Sequence, residues 1–202
     1  MGHDDILAWT KAERLSLAAF LEDLDAHGWD AASLCDGWTV RDVAAHLTLS
    51  TRTTLFVAIK GAIRARGEFN RMVADLARER AARFQPRELI AQLRETAGSA
   101  RRAPGASPLD PLVDALVHGQ DMARPLGRTR ELPAGPVVAA LDHVVASRFY
   151  GGWELLRTTR LIATDADWSA GEGPREVRGP AADLLLLATG RRAAREDLRS
   201  TP

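Results

Sequence analysis

A single cysteine, Cys35, in 202 residues excludes an internal disulfide and every zinc site built from several thiolates. That usage fits a reducing compartment. Neither charge is in excess: Lys plus Arg and Asp plus Glu number 27 each, so no global field draws the chain to nucleic acid or a membrane surface. The local pairs Arg101–Arg102 and Arg191–Arg192 read as solvated surface. Residues Met1 to Asp5 lack the basic and apolar stretches of a secretory leader. No apolar run approaches the roughly 18–20 residues that span a bilayer. A nucleophile elbow, a Walker loop, a dinucleotide fingerprint and an H-E-x-x-H pair are all missing. We therefore expect a cytoplasmic protein that engages neither nucleic acid nor a membrane, with small-molecule partners and a monomeric or homodimeric state.

What is present is ordinary globular composition, 46% hydrophobic and 27% charged, and a length that suits one large domain or a domain with a small appendage. Leu17, Phe20, Leu21 and Leu24 recur at helical spacing between Asp5 and His27, and Gly28 is placed to end that helix. Thr39 and Asp42 form a carboxylate variant of the capping box, with Trp38 and Val43 as a hydrophobic staple. The helix they open carries Val40, Val43, Ala44, His46 and Leu47 and is expected to run toward Arg66, with a break possible at Gly61. Further amphipathic segments cover Phe69 to Phe84, the stretch after Pro86 and the stretch after Pro136. His143, on the last of these, reads as structural or surface.

Past Gly151-Gly152 the pattern changes. Arg160 to Trp168 reads as a strand, Gly171 to Pro174 as a turn, Glu176 to Arg178 as a second strand and the run ended by Gly190 as a buried helix. Gly171-Glu172-Gly173 lies between strands with no helix opening on it, so it is no phosphate loop. We expect a mainly α protein: a helical-bundle domain over residues 1–152 and a small strand-turn-strand-helix segment over 153–202 packed on it.

The chemistry concentrates between Asp110 and Asp121. Asp110 reads as an N-cap with Pro111 at the first helical position. Asp114 and His118, four residues apart, share a helix face and can reach one cation; they can equally be a solvated pair. Asp121, one turn on, is placed to orient the His118 ring from behind. In a bundle a third ligand would come from a facing helix, where His46 is a candidate ligand or a core histidine. Two imidazoles and a carboxylate suit zinc with an open fourth position, and equally Fe2+. Cys35, without an evident positive neighbour, reads as packing. Any nucleophile would then be a metal-activated water or a cosubstrate thiolate.

Three blocks resemble one family. Gly37-Trp-Thr-Val-Arg-Asp-Val-Ala-Ala-His46-Leu is similar to the first signature of the mycothiol-dependent maleylpyruvate isomerase-like proteins, of the DinB-like metal-binding superfamily. Asp114-Ala-Leu-Val-His118-Gly-Gln-Asp-Met-Ala-Arg-Pro-Leu-Gly is similar to the second. Asp165 to Pro174 followed by Gly179 to Arg191 resembles the C-terminal segment. The resemblance implies a DinB-like four-helix bundle, a metal held by His46, Asp114 and His118, and mycothiol as a cosubstrate. The metal would be Zn2+, with Fe2+ or Ni2+ as alternatives. The middle ligand of that family is typically glutamate, and Asp114 departs from it. In the isomerase a thiol adds to a cis double bond, the adduct rotates and elimination leaves the trans product. The resemblance thus implies an isomerase or S-transferase acting on a small anionic substrate. Arg191, next to Gly190, is a candidate anion contact for such a substrate or else a solvated arginine. A water-activating metal hydrolase and a non-catalytic metal- or ligand-binding paralogue are the competing readings.

Overall fold

The computed structural model describes residues 2–54, 61, 63, 68–191 and 199–201. Among them the α-helices are α1 (His3–Glu22), α2 (Ala26–Asp30), α3 (Val40–Leu49), α4 (Phe69–Arg83), α5 (Pro86–Glu95), α6 (Asp110–Ala123), α7 (Ala134–Ala146), α8 (Gly152–Thr158) and α9 (Ala181–Ala188). The strands are β1 (Thr159–Ala163), β2 (Ser169–Ala170), β3 (Arg175–Gly179) and β4 (Arg199–Thr201). By internal contacts the chain divides into two compact units, Met1–Arg130 and Glu131–Pro202. Helix α7 therefore groups with the sheet, where its apolar side packs on α9, although the sequence reading counts it with the bundle.

The protein is mainly helical with a small α+β segment, as expected. In the first unit α1 packs on α5 and α6, and α3 packs on α4, α5 and α6. Their contact stripes make one core, in which Leu17, Leu21, Val40, Val43, Leu89, Leu93 and Met122 are buried. Each such side chain contributes about 1.5–3 kcal/mol relative to leaving it in water. Helix α3 starts as its sequence demands: Thr39 Oγ1 accepts from Asp42 N at 3.2 Å, and Thr39 N donates back to Asp42 Oδ2 at 2.9 Å. It ends at Leu49, with Ser50 as C-cap and a turn over residues 50–52, so the expected unbroken run toward Arg66 does not form; most of the stretch beyond residue 54 falls outside the described residues. Arg14, buried on α1, donates to the carbonyls of Thr96, Ala97 and Ser99, which follow α5. A cation there satisfies carbonyls that the helix end leaves open. Burial lowers the Arg14 pKa, and the nearby charge of Asp114 opposes that shift.

Three local expectations need correction. The helix expected from Asp5 to His27 stops at Glu22, because the Asp25 side chain accepts from Gly28 N at 2.8 Å and starts α2. Gly28 is thus inside α2, where it is buried, and does not end a helix. Helix α6 begins at Asp110 itself, with Leu109 as N-cap, and Asp110 Oδ2 accepts from Ser107 N at 2.7 Å. The strand expected over Arg160–Trp168 ends at Ala163, and a turn leads to β2. In the second unit the sheet order is β2-β1-β3-β4, with β1 and β3 parallel and both outer pairs antiparallel. Leu161, Val177 and Leu184 to Leu186 fill that unit's core.

An ion pair between Glu13 and Arg130, 2.9 Å apart and almost wholly buried, lies within the first unit. Burial raises the Glu13 pKa, and Arg130 only partly offsets this. A raised folded pKa means that the native state holds the proton more tightly than the unfolded chain. Stability from this group is therefore fully present below about pH 4, the unfolded carboxylate value, and falls as pH rises through the folded one. Urea midpoints measured from pH 4 upward should show the parent losing stability relative to Glu13→Gln as pH rises. A parent that gains on the variant over that range contradicts the assignment.

Candidate functional site

Helix α6 carries polar residues on one side of an otherwise apolar surface, from half-buried Asp114 through His118 to fully buried Asp121. Val113, Ala115, Leu116, Val117, Met122 and Ala123 are buried in the interior, and their spacing sets Asp114, His118 and Asp121 on a common side. Helix α3 is fixed by its cap and by Val40, Val43 and Leu47, which presents His46 to that side. The structure brings His46, Asp114 and His118 together: a ligand atom from each lies within 4.8 Å of the others. His46 Nε2 is 3.5 Å from Asp114 Oδ2, and His118 Nε2 is 3.9 Å from Asp114 Oδ1. One carboxylate oxygen thus faces each ring, and the ring centroids are 4.9 Å apart.

The protonation pattern follows from what lies behind His118. Its Nδ1 is 2.8 Å from Oδ2 of Asp121, whose side chain is fully buried. With Asp121 accepting as a carboxylate, Nδ1 is the donor, and Nε2 is the ring nitrogen turned toward Asp114. The His46 Nδ1 is buried and has no hydrogen-bond partner among the described residues, while Nε2 stands beyond hydrogen-bond reach of Asp114. An imidazole so placed lacks the partners that a buried polar group normally has, at a cost of about 1–3 kcal/mol.

These residues fit a divalent cation on two counts. Bonds of about 2.0–2.1 Å to a tetrahedral zinc set neighbouring N and O donors roughly 3.3 Å apart, a small closing movement from the distances here. A cation would also engage Nε2 of His46, which now makes no hydrogen bond. Asp114, one methylene shorter than the expected glutamate, still lies between the two rings.

Trp38 closes one side. Its indole is nearly parallel to the His118 ring at 6.5 Å and edge-on to His46 at 5.5 Å. The turn before it depends on Gly37, at φ +72°, in a four-residue turn closed by Trp38 N donating to Cys35 O at 3.0 Å. A side chain is strained in that conformation. The Ser33 hydroxyl donates to Trp38 O, and Leu34 N donates to Asp121 O at 3.0 Å, which ties this loop to α6.

Cys35 is what sequence reasoning missed. Its thiol donates to Asp121 Oδ2 at 3.2 Å, beside the face formed by His46, Asp114 and His118, not in incidental packing. Only the loop fold brings it to α6, 86 residues away in sequence. Arg191 belongs to the second unit, where its guanidinium donates to Thr189 O at 2.8 Å. His143 is also in that unit, edge-on to Tyr150 at 5.9 Å.

The sequence model of the mycothiol maleylpyruvate isomerase N-terminal domain matches residues 10–134. Two solved structures, of mycothiol-dependent maleylpyruvate isomerase and of a histidine-to-alanine mutant of it, align with the whole chain. Both have a TM-score of 0.66, cover 100% of this chain and 93% of theirs, and are 13% and 12% identical. That likeness shows the fold, the DinB-like bundle with its C-terminal segment. No curated protein matches.

Proposed function

The chain belongs to the family of the mycothiol maleylpyruvate isomerase N-terminal domain, and from that premise we propose that it is a metal-dependent enzyme using a small thiol. His46, Asp114 and His118 hold the cation, with Zn2+ first and Fe2+ or Ni2+ as alternatives. The observation that carries this reading is the Asp121–His118 contact at 2.8 Å, which aims Nε2 at a carboxylate already shared with His46. When bound, the metal lowers the pKa of a thiol brought to its open position.

The protein's own groups supply the rest. Asp121 fixes the tautomer and orientation of His118. Asp114 and two neutral imidazoles leave a dication with one net positive charge, which favours an anionic thiolate as the fourth partner. Trp38 excludes water from one side and strengthens the local field. The expected reaction is thiol addition to a cis double bond of a small anionic substrate, rotation, and elimination to the trans product, or else a thiol transfer. Asp114 in place of glutamate favours a second reading, a metal-binding paralogue without turnover.

The test is isomerisation of maleylpyruvate by zinc-loaded protein, with and without mycothiol. Turnover that needs the thiol and is lost in His46→Ala supports the proposal. Thiol-independent hydrolysis of test esters would support a hydrolase instead. Zinc bound without either activity supports the non-catalytic reading.

A further inference from the structure

The face of His118 turned away from His46 and Asp114 has its own ligand set. Cys35 Sγ lies 3.2 Å from Asp121 Oδ2 and 3.7 Å from His118 Nδ1, and that nitrogen is 2.8 Å from the same oxygen. The three atoms lie within 4.8 Å of one another, as do those of the His46 set. We propose that Cys35, Asp121 and His118 Nδ1 form a second metal site, selective for thiophilic cations, that shares the His118 ring with the first.

The donor chemistry separates the two. A thiolate favours soft ions such as Cu+ and Cd2+, whereas two imidazoles and a carboxylate make no such choice. A dication between one thiolate and one carboxylate is electrically neutral, a condition that a fully buried Asp121 tolerates better than unpaired charge. The scaffold is already set: Leu34 N holds the Asp121 carbonyl, and Ser33 Oγ accepts from Cys35 N at 3.1 Å. Proton balance links the sites. Binding at Nδ1 releases the thiol proton to solvent and moves the ring proton from Nδ1 to Nε2, which removes the lone pair that the first site needs. Occupancy is therefore exclusive, and a soft ion inactivates the first site by displacement, not by blocking it. This last step rests on the metal reading of His46, Asp114 and His118; the thiolate site itself does not.

Cadmium added to the metal-free full chain tests it, read by thiolate-to-cadmium charge-transfer absorption. The parent should give the band, saturating near one equivalent, and Cys35→Ser should give none. His118→Ala and Asp121→Asn keep the thiol, and each should weaken cadmium binding at least tenfold. Protein preloaded with zinc should take up cadmium at Cys35 only as zinc leaves. No band in the parent overturns the site, as does a band of unchanged affinity in both His118→Ala and Asp121→Asn, since the thiol would then bind alone. Both ions held at full occupancy overturns the sharing of His118. A parent that gives the cadmium band yet takes up no zinc keeps this site and sinks the proposed function. A parent that takes up zinc but gives no band does the reverse.

Discussion

Protein purified without added metal or chelator should carry about one divalent ion per chain; His118→Ala, which removes the ring common to both donor sets, should carry none, and so should His46→Ala made in a Cys35→Ser background, where the thiolate set cannot substitute. The expectation is strong because the three donors come from only two helices, both fixed by burial. His46 is on α3, whose Val40, Val43, Ala44 and Ala45 are buried, and Asp114 and His118 are on α6. Removing either imidazole leaves two donors, too few to hold a dication against water. Asp121→Asn should behave differently. The amide can still accept from Nδ1 but without charge, so the ring keeps its direction and loses basicity. Losing such a supporting partner typically costs about 10–100-fold in metal affinity. Metal analysis of the alanine variants and zinc titration of Asp121→Asn separate a ligand from the group that orients it. Metal retained at full stoichiometry in either histidine variant would remove that histidine from the site.

The legible part of this site is the part written within one helix. Asp114, His118 and Asp121 stand four and three residues apart, and helical geometry alone sets them on one side. The start of α3 was equally plain, because a capping box is a local device whose partners lie three residues apart. His46 needed the resemblance, since no periodicity says which residue on a second helix faces the first. Cys35 was opaque for a further reason: its place depends on a turn at Gly37 and on backbone bonds from the loop to α6, none of which has a spacing signal. The early break in the first helix shows the limit of apolar periodicity. Leu21 and Leu24 continue the pattern, yet an aspartate capping Gly28 N offers the backbone a competing partner, and the local hydrogen bond wins. The parallel pairing of β1 with β3 is beyond pattern reading as well, because two short strands separated by a turn read first as a hairpin.

The largest effect on stability should come from Gly119→Ala, next to His118. Gly119 is buried in α6, where alanine is ordinarily the better helix former by roughly 1 kcal/mol, so propensity alone predicts a gain. Packing reverses the sign. A Cβ there would land on Arg130 Nη1 and 3.0 Å from Leu17 Cδ2. The guanidinium is held through Nη2, which is 2.9 Å from Glu13 and donates to Ser16 Oγ at 2.8 Å, and the backbone it extends from is fixed by Gln120 Nε2 donating to the Arg130 carbonyl at 2.8 Å. Leu17 is fully buried and cannot yield either. Accommodating the methyl therefore requires breaking the buried ion pair, or moving α6 away from α1. Overpacking costs about 1–3 kcal/mol and leaving a buried charge unpaired about 3–5 kcal/mol, so a net loss near 3 kcal/mol is expected. Urea unfolding of metal-free protein measures it, and a midpoint equal to or above the parent's would refute the packing argument. Glu13→Gln supplies the check on cause. With the ion pair already weakened, Arg130 is freer to move, and Gly119→Ala should cost less in that background than in the parent. Equal costs in the two backgrounds would place the strain on Leu17, and the close approach of α1 to α6, which holds the turn bearing His118 in place, would then be a matter of apolar packing alone.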